Sequence, residues 1–276
     1  MRGIGFPRFP RGFMKQALSA AVSAFFAVSV GLGPALAEEE ITAAFPDFSG
    51  EGGVAVRTNG DAKIEDGVLQ LTRPAENLVG TAFLSEAVSL PSGRSFSAYF
   101  TFRMKKPSCG FGGGGDGLAF VLQTDRGAAG SRGGGLGYAG IQPSLVVEFD
   151  THQNEEHKDP DGNHVGISLY GDPDSVATAK APMRMVDGAV LHAWVDHDGG
   201  SDTLEVRLSS SAVRPAEPLL SYKIDLDAIF EDDVFVGFTA ATGSCTEHHD
   251  ILSLFFNGDR VEGGLDTGSE SFVTAH

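Results

Sequence analysis

Residues 145–164 read LVVEFDTHQNEEHKDPDGNH and concentrate the side chains of this chain that could hold metal ions. Carboxylate, imidazole and amide groups occupy alternate positions there: Glu148, Asp150, His152 and Asn154. In an extended strand, alternate residues share one face. Two carboxylates on one face would also suit an ordinary solvent-exposed strand edge, so these four positions alone leave both interpretations open.

The pattern continues beyond those four positions. Asp159 follows in a polar loop, and His164 begins the next apolar run. A hairpin that returns from the loop would bring the imidazole of His164 back beside Glu148 and Asp150. Oxygen ligands favour calcium, and an imidazole added to three carboxylates favours an octahedral transition ion such as manganese. Two ions shared by Asp150 and Asp159 would also relieve the repulsion between closely packed acids.

Two other motifs match parts of the sequence only formally. Asp159, Asp161 and Asn163 begin like an EF-hand loop, but the position that requires glycine is His164 and no helical pattern flanks it. The glycine-rich run 110–115 leads into a strand-like segment and is not followed by Lys with Ser or Thr. Neither a calcium-binding EF-hand nor a phosphate-binding loop is predicted.

The elements that must position these residues are strands. Short apolar or alternating runs bounded by turn-forming residues recur along the chain, and helical periodicity is almost absent after residue 37. The clearest predicted strands are 62–64, 68–71, 96–103, 117–123, 144–149, 165–170, 189–196, 203–208 and 234–240. Twenty Phe and one Trp supply bulky side chains for a core between two sheets. This pattern predicts an all-β sandwich or jelly roll of two antiparallel sheets.

The N-terminal 37 residues are typical of a secretory signal peptide. Four basic residues and no acidic residue precede an apolar run, and the small-residue triplet Ala-Leu-Ala follows it. The run is shorter than the ~20 residues of a membrane-spanning helix. We therefore expect a secreted or periplasmic protein with no transmembrane segment in the mature chain. The predicted mature domain is 38–276, with a core of about 45–257 and a polar C-terminal tail.

The charge balance excludes one class of partner. The whole chain carries 20 basic and 37 acidic residues, for a formal net charge of −17 at pH 7. The charged residues within 1–37 are all basic, so the predicted mature chain has a more negative net charge than the whole chain. Nucleic acid is therefore not an expected partner.

In almost every segment from Phe45 to about Phe256, the sequence resembles the legume lectins and their wider L-type relatives. The segment VVEFDTHQN…DP…HVGI is similar to the metal-binding signature of that family. Further agreement comes from NGDAKIEDGVLQLT at 59–72, GDGLAF at 115–120, GGGLG at 133–137 and VGFTAATG at 236–243. The resemblance implies a concanavalin-like jelly-roll sandwich that binds carbohydrate and is not an enzyme.

The resemblance also implies a role for each metal ligand. Glu148 and His164 correspond to ligands of the manganese-type ion, and Asp150 and Asp159 to ligands shared by both ions. Asn154 and the backbone carbonyl of His152 correspond to calcium ligands.

A sugar site is implied in the same way. Asp116 corresponds to the family's sugar-binding aspartate, which usually follows a cis peptide bond, here with Gly115 before it. Gly134 corresponds to a backbone N–H donor, and Asn154 to an amide that contacts both calcium and sugar. Ser244 and Cys245 fall in the loop that adjusts specificity.

Two departures from the family pattern stand out. His152 occupies a position where the family usually has Phe or Tyr to stack under the sugar ring, and it offers a smaller apolar face. A bond between the chain's two cysteines, Cys109 and Cys245, would join the Asp116 loop to the specificity loop. The sequence leaves this disulfide open, and because we do not associate it with the plant proteins, we expect a non-plant secreted member.

The sequence therefore predicts a metal-dependent lectin whose partners are glycans or glycoconjugates, and it leaves homo-oligomer formation open. Two alternatives remain. A glycoside hydrolase of the same sandwich fold would use Glu148 and Asp150, but a second catalytic Glu is missing because position 152 is His. A structural or adhesion module would keep the metals for stability alone. Six histidines outside the site have no comparable constellation, and most of them are expected at the surface: His157, His192, His197, His248, His249 and His276. His248 and His249 are expected in the specificity loop, where they could touch a ligand.

Overall fold

The structure, a computed structural model, describes residues 43–49, 55–90, 93–109, 113–231 and 233–259, together with Val261 and Leu265. All of these belong to one compact unit, Glu38–His276. The predicted signal peptide 1–37 and most of the polar C-terminal tail lie outside the described residues. No helix within the described ranges is long and apolar enough to cross a membrane.

Within the described ranges, fifteen β-strands form two antiparallel sheets. The strands are β1 (Ala43–Phe45), β2 (Val56–Gly60), β3 (Lys63–Glu65), β4 (Val68–Thr72), β5 (Val79–Leu84), β6 (Phe96–Lys105), β7 (Gly117–Gln123), β8 (Ser144–Asp150), β9 (His164–Leu169), β10 (Ala177–Lys180), β11 (Leu191–Asp198), β12 (Thr203–Ser209), β13 (Leu220–Lys223), β14 (Phe235–Ala241) and β15 (His248–Asn257). The described helical elements are two short 3₁₀ turns, Gly133–Gly135 and Glu155–His157.

The eight-stranded sheet, called the back sheet below, has the order β13-β12-β11-β6-β15-β4-β3, and β1 pairs with β15. The seven-stranded front sheet has the order β10-β9-β8-β7-β14-β5-β2. The chain crosses between the sheets repeatedly, for example from β6 in the back sheet to β7 in the front sheet. This arrangement confirms the predicted all-β sandwich of two antiparallel sheets.

Phenylalanine side chains from both sheets meet in the core. Phe96, Phe100 and Phe102 of β6 are fully buried, as their alternate spacing predicts. The ring centroid of Phe100 lies 5.4 Å from that of Phe120 and 5.0 Å from that of Phe238, both in the front sheet. Burying each such ring stabilises the fold by roughly 1.5–3 kcal/mol. These contacts hold the front sheet, and the loops at its end, in a fixed position.

Strand β15 shows where the alternation rule fails. This ten-residue strand lies between β6 and β4 in the back sheet, yet its sequence does not alternate cleanly. Register shifts occur between His249 and Asp250 and between Ile251 and Ser253. Each bulge changes which residues face the core, so period two is lost within the strand.

The register of the front sheet places three loops at one end. Ala241 pairs with Gly117, Gly117 with Asp150, and Asp150 with His164, so these residues form one cross-strand row. The segments 113–116, 151–163 and 242–247 all join the strands at this row. The candidate site residues named above lie in the row, in these loops or close beside them.

Candidate functional site

The hairpin of β8 and β9 brings two carboxylates and an imidazole together. Asp150 is the last residue of β8 and pairs with His164, the first residue of β9, while Glu148 is two residues earlier in β8. Nε2 of His164 lies 3.7 Å from Oε1 of Glu148. All three residues are buried, with Asp150 the most exposed at 3%. Buried acids packed this closely are unfavourable unless a positive charge compensates them.

The loop 151–163 adds oxygen atoms to this cluster. Oδ1 of Asp159 lies 3.8 Å from Nε2 of His164. The backbone N–H of Asn154 donates to Oδ2 of Asp159 at 2.6 Å, and the N–H of His152 donates to Oδ1 of Asp150 at 2.7 Å. Because β8 ends at Asp150, His152 and Asn154 lie in the loop and not on the extended strand face suggested by their spacing.

The ligand atoms converge on one point. One ligand atom each from Asp150, Asp159 and His164 lies within 4.8 Å of the others. Nδ1 of His164 lies 2.7 Å from the carbonyl oxygen of Asp161, which can only accept, so Nδ1 carries the proton. Nε2 of the neutral ring then presents its lone pair to the acids, and it is buried without a hydrogen-bond partner among the described residues. This donor set suits a divalent cation.

The electrostatics of the cluster support the same conclusion. Burial, and then repulsion from Glu148 and Asp159, raises the pKa of Asp150 well above its usual value. Burial also raises the pKa of Asp159. The pKa of His164 is raised although burial opposes its charge, because Glu148 and Asp159 favour the protonated ring. Without a cation the cluster would hold protons, and a bound cation would displace them.

Hydroxyl groups that the sequence did not reveal orient Glu148. Tyr138 donates to its Oε2 at 2.6 Å, and Ser175 donates to its Oε1 at 2.6 Å. Burial, followed by the charge of Glu148, raises the pKa of Tyr138 well above its usual value, so its hydroxyl stays a donor. Tyr138 and Ser175 lie outside the segment 145–164 and belong to no recognisable motif, so only the fold identifies them as partners of Glu148.

Asp116 directly precedes β7, and its peptide bond with Gly115 is cis. Its N–H donates to the carbonyl of Ala241 at 2.9 Å, and its carbonyl accepts from the N–H of Thr151 at 3.0 Å. The backbone of Asp116 is therefore fixed between two of the site loops. Oδ2 of its carboxylate is buried without a partner in the described part of the chain, and burial raises its pKa to about 6.

The 3₁₀ turn Gly133–Gly135 packs against the side chains of both Asp116 and Asn154. A Cβ placed on Gly133 would lie 3.8 Å from Oδ1 of Asp116, and one on Gly134 would lie 2.7 Å from Oδ1 of Asn154. Oδ1 of Asn154 is also buried without a partner among the residues described. The fold thus brings Asp116, Gly134 and Asn154 together although they are far apart in sequence.

The loop after β14 contains Ser244 and Cys245 in different environments. Ser244 is exposed, whereas Cys245 is buried and forms a disulfide with Cys109, with a Cα–Cα distance of 5.3 Å. A Cβ placed on Gly115 would lie 2.4 Å from Cβ of Cys245. Ser244 is therefore accessible to a ligand, and Cys245 supports the Asp116 turn from behind.

Two of the remaining histidines, His197 and His249, are buried and are exceptions to the surface position expected for most of them. His248 and His249 also begin strand β15 and do not lie in the specificity loop, contrary to the expectation. His249 is fully buried in β15 and lies 2.9 Å from Glu247. His197 is fully buried in β11, and its two ring nitrogens contact the backbone carbonyls of Arg94 and Ile224. The sequence gives no signal for either, because neither histidine lies in a pattern that distinguishes a buried, hydrogen-bonded imidazole from a solvent-exposed one.

A family model and several known proteins match most of this chain. The legume lectin domain family matches residues 41–270 of the chain. The chain is 35% identical over 209 residues to L-type lectin-domain containing receptor kinase VIII.2 of Arabidopsis thaliana, covering 70% of this chain and 29% of that protein. It is 32% identical over 217 residues to L-type lectin-domain containing receptor kinase S.7 of Oryza sativa subsp. japonica, covering 72% and 30%. The chain thus spans under a third of the length of these two relatives.

Solved structures of lectins are similar throughout the sandwich. The lectin from Bauhinia forficata in complex with GalNAc superposes with a TM-score of 0.68 at 27% identity, covering 78% of this chain and 96% of that one. The metal-free form of lectin I-B4 from Griffonia simplicifolia has a TM-score of 0.66 at 30% identity, covering 78% and 97%. The superposition covers nearly the whole of each of these two lectins. The chain therefore belongs to the legume lectin domain family.

Proposed function

We propose that this protein is a lectin that binds glycans without chemical turnover and depends on calcium and a manganese-type ion to do so. One observation carries the proposal. Two buried oxygen atoms without a described partner, Oδ2 of Asp116 and Oδ1 of Asn154, lie at one 3₁₀ turn beside a cluster of acids and an imidazole. Related lectins in complex with GalNAc and with galactose support the ligand class.

The described residues fit the two ions of the family. Glu148 and His164 would hold the manganese-type ion, and Asp150 and Asp159 would be shared by both ions. The side chain of Asn154 and the carbonyl of His152 would hold calcium. The ions would supply the positive charge that the buried acids lack and would fix the loop 151–163.

The sugar contacts follow from the chemistry of the residues at the turn. Asp116 offers carboxylate oxygens as acceptors, and Asn154 offers its amide N–H groups as donors once its oxygen is engaged. Gly134 adds a backbone N–H, and Ser244 a hydroxyl at the exposed rim. Donors and acceptors in fixed positions match two adjacent sugar hydroxyls. His152 is half-buried and offers a small apolar face.

The hydrolase alternative is not favoured by the position of Glu148. This side chain is buried, and its two oxygens accept hydrogen bonds from Tyr138 and Ser175. A nucleophile in a glycoside hydrolase must reach the anomeric carbon of its substrate. Oε1 of Glu148 lies instead 3.7 Å from Nε2 of His164, which suits a role as a metal ligand.

The first experiment is a glycan array on the mature protein with calcium and manganese, repeated in excess EDTA, with bound metal measured on the same sample. We expect binding to a defined sugar set that disappears in EDTA. A metal-loaded protein that binds no glycan would overturn the lectin proposal and favour the structural or adhesion alternative. Binding that is unchanged in EDTA would refute metal dependence.

Export also remains a proposal. We infer from residues 1–37 that the mature chain begins near Glu38 and is secreted or periplasmic. N-terminal sequencing of protein recovered outside the cytoplasm tests this, and a first residue well before or after Glu38 would contradict it. Sedimentation of the same sample would measure whether the chain forms a homo-oligomer.

A further inference from the structure

Glu247 is a fully buried carboxylate that none of the proposed metal or sugar contacts uses. Its Oε2 has no hydrogen-bond partner among the described residues. A Cβ placed on Gly114 would lie only 1.9 Å from this oxygen. The carboxylate therefore packs directly against the backbone two residues before Asp116.

The other oxygen of Glu247 belongs to a buried chain of polar groups. Oε1 accepts a hydrogen bond from the hydroxyl of Thr151 at 2.6 Å and lies 2.9 Å from Nε2 of His249. Nδ1 of His249 lies 2.6 Å from the hydroxyl of Thr72 in β4 of the back sheet. The chain of contacts thus links the back sheet to the residue that follows Asp150.

Thr151 connects this chain to the sugar-binding turn. Its N–H donates to the carbonyl oxygen of Asp116 at 3.0 Å, and its hydroxyl lies 3.1 Å from the same oxygen. Glu247 holds the hydroxyl of Thr151, and Thr151 holds the carbonyl of Asp116. A change at Glu247 therefore reaches Asp116 through two short contacts without touching a metal ligand.

Alternate residues of one segment face the two glycines before Asp116. Cys245 packs against Gly115, and Glu247 packs against Gly114. Between them, the N–H of Thr246 donates to the hydroxyl of Ser108 at 2.7 Å. The backbone 114–116 thus rests on a surface made by 245–247, and any side chain at Gly114 or Gly115 would collide with it.

We propose that Glu247 is a positioning residue for carbohydrate binding. It holds Thr151 and supports Gly114, so that the carboxylate of Asp116 keeps the orientation in which it meets the ligand. The inference rests on the proposed lectin function. The benefit is preorganisation: a turn that is already ordered loses less conformational freedom when a glycan binds.

The test compares the metal-loaded wild type with Glu247→Ala, Glu247→Gln and the control Glu205→Ala. Glu205 pairs with Arg207 on the back sheet, so its removal deletes a carboxylate away from the site. Two readouts are made on each protein. Hydrogen–deuterium exchange of residues 113–117 needs no sugar, and binding to the glycan array needs one.

For Glu247→Ala we expect exchange at 113–117 to be faster, and glycan binding weaker, by about tenfold or more. Bound metal and exchange in β12 should stay as in the wild type. Glu247→Gln keeps the acceptor Oε1 and should stay within about threefold of the wild type. Should Glu247→Ala not fold, Thr151→Val removes the same link with little change of volume and should give the same two effects.

The outcomes separate the two proposals. Wild-type exchange and glycan binding in Glu247→Ala, or in Thr151→Val if the former does not fold, would overturn the positioning role. A Glu247→Gln protein as impaired as Glu247→Ala would also overturn it, because charge and not the acceptor would then matter. If the wild type binds no glycan but Glu247→Ala still shows faster exchange at 113–117, the lectin function is refuted. The positioning of the Asp116 turn by Glu247 is then still supported.

Discussion

Replacing Asp116 with Asn should make the metal-free protein more stable. The same change should abolish glycan binding by the metal-loaded protein. Burial raises the pKa of Asp116 from its usual 3.8 to about 6. At about 1.4 kcal/mol for each pH unit, the ionised carboxylate costs the folded protein about 3 kcal/mol at neutral pH. Asn removes the charge and this cost, but its unpaired amide N–H groups cost the folded protein about 1 kcal/mol. The expected gain is about 2 kcal/mol.

The pH dependence gives the prediction its sharpest form. Because the pKa of Asp116 is raised in the folded state, the carboxylate is protonated and costs nothing below about pH 4. The cost develops as pH rises from 3.8 to about 6 and is complete above that value. The Asp116→Asn protein should therefore be about 1 kcal/mol less stable than the wild type at pH 3.5, where only the amide cost remains, and about 2 kcal/mol more stable at pH 7.

Urea unfolding in EDTA measures this difference at each pH. Trp194 is the chain's only Trp and is fully buried in the back sheet, so its fluorescence reports unfolding away from the mutated site. Asp233→Asn, at an exposed aspartate, is the matched control and should change stability little at any pH. A less stable Asp116→Asn protein at pH 7, or a gain that persists unchanged at pH 3.5, would refute the reasoning.

Three further substitutions separate metal binding from sugar binding. Asp150→Asn should remove both bound ions and glycan binding, whereas Asp116→Asn should keep its metal, and equal metal loss in the two would contradict these separate roles. Gly134→Ala would place a Cβ 2.7 Å from Oδ1 of Asn154 and should weaken glycan binding about tenfold or more; unchanged affinity on the array would show that Asn154 can move. Tyr138→Phe removes the donor 2.6 Å from Oε2 of Glu148 and should lower metal affinity about 10- to 100-fold in a chelator competition; equal retention of metal would exclude an orienting role.

Much of the sandwich could be predicted because alternation indicates which residues of a strand face the core. Phe96, Phe100 and Phe102 alternate in sequence and are all buried in β6. The outer face of the back sheet was less predictable. Tyr99 and Trp194 point away from the main core but are buried there beside Leu265, whose carbonyl accepts from the indole N–H of Trp194 at 2.8 Å. A chain segment that covers a sheet face leaves no periodic signal.

The metal ligands were readable because they lie within one short segment. Glu148, Asp150 and His164 fall on a single hairpin, so spacing and strand register bring them together. The partners that orient them, such as Tyr138 and Ser175, come from other segments and carry no spacing signal.

By itself, the sequence determined the all-β class, the hairpin of metal-ligand residues and the legume lectin resemblance, because these depend on local alternation and short spacing. Only the tertiary structure decided which distant residues share a site. The pairing of Cys109 with Cys245, the meeting of Asp116 with Asn154 across Gly133 and Gly134, and the burial of Glu247 all depend on it. These contacts join segments that are far apart in sequence, and they exist because the register of the front sheet brings those segments to one end.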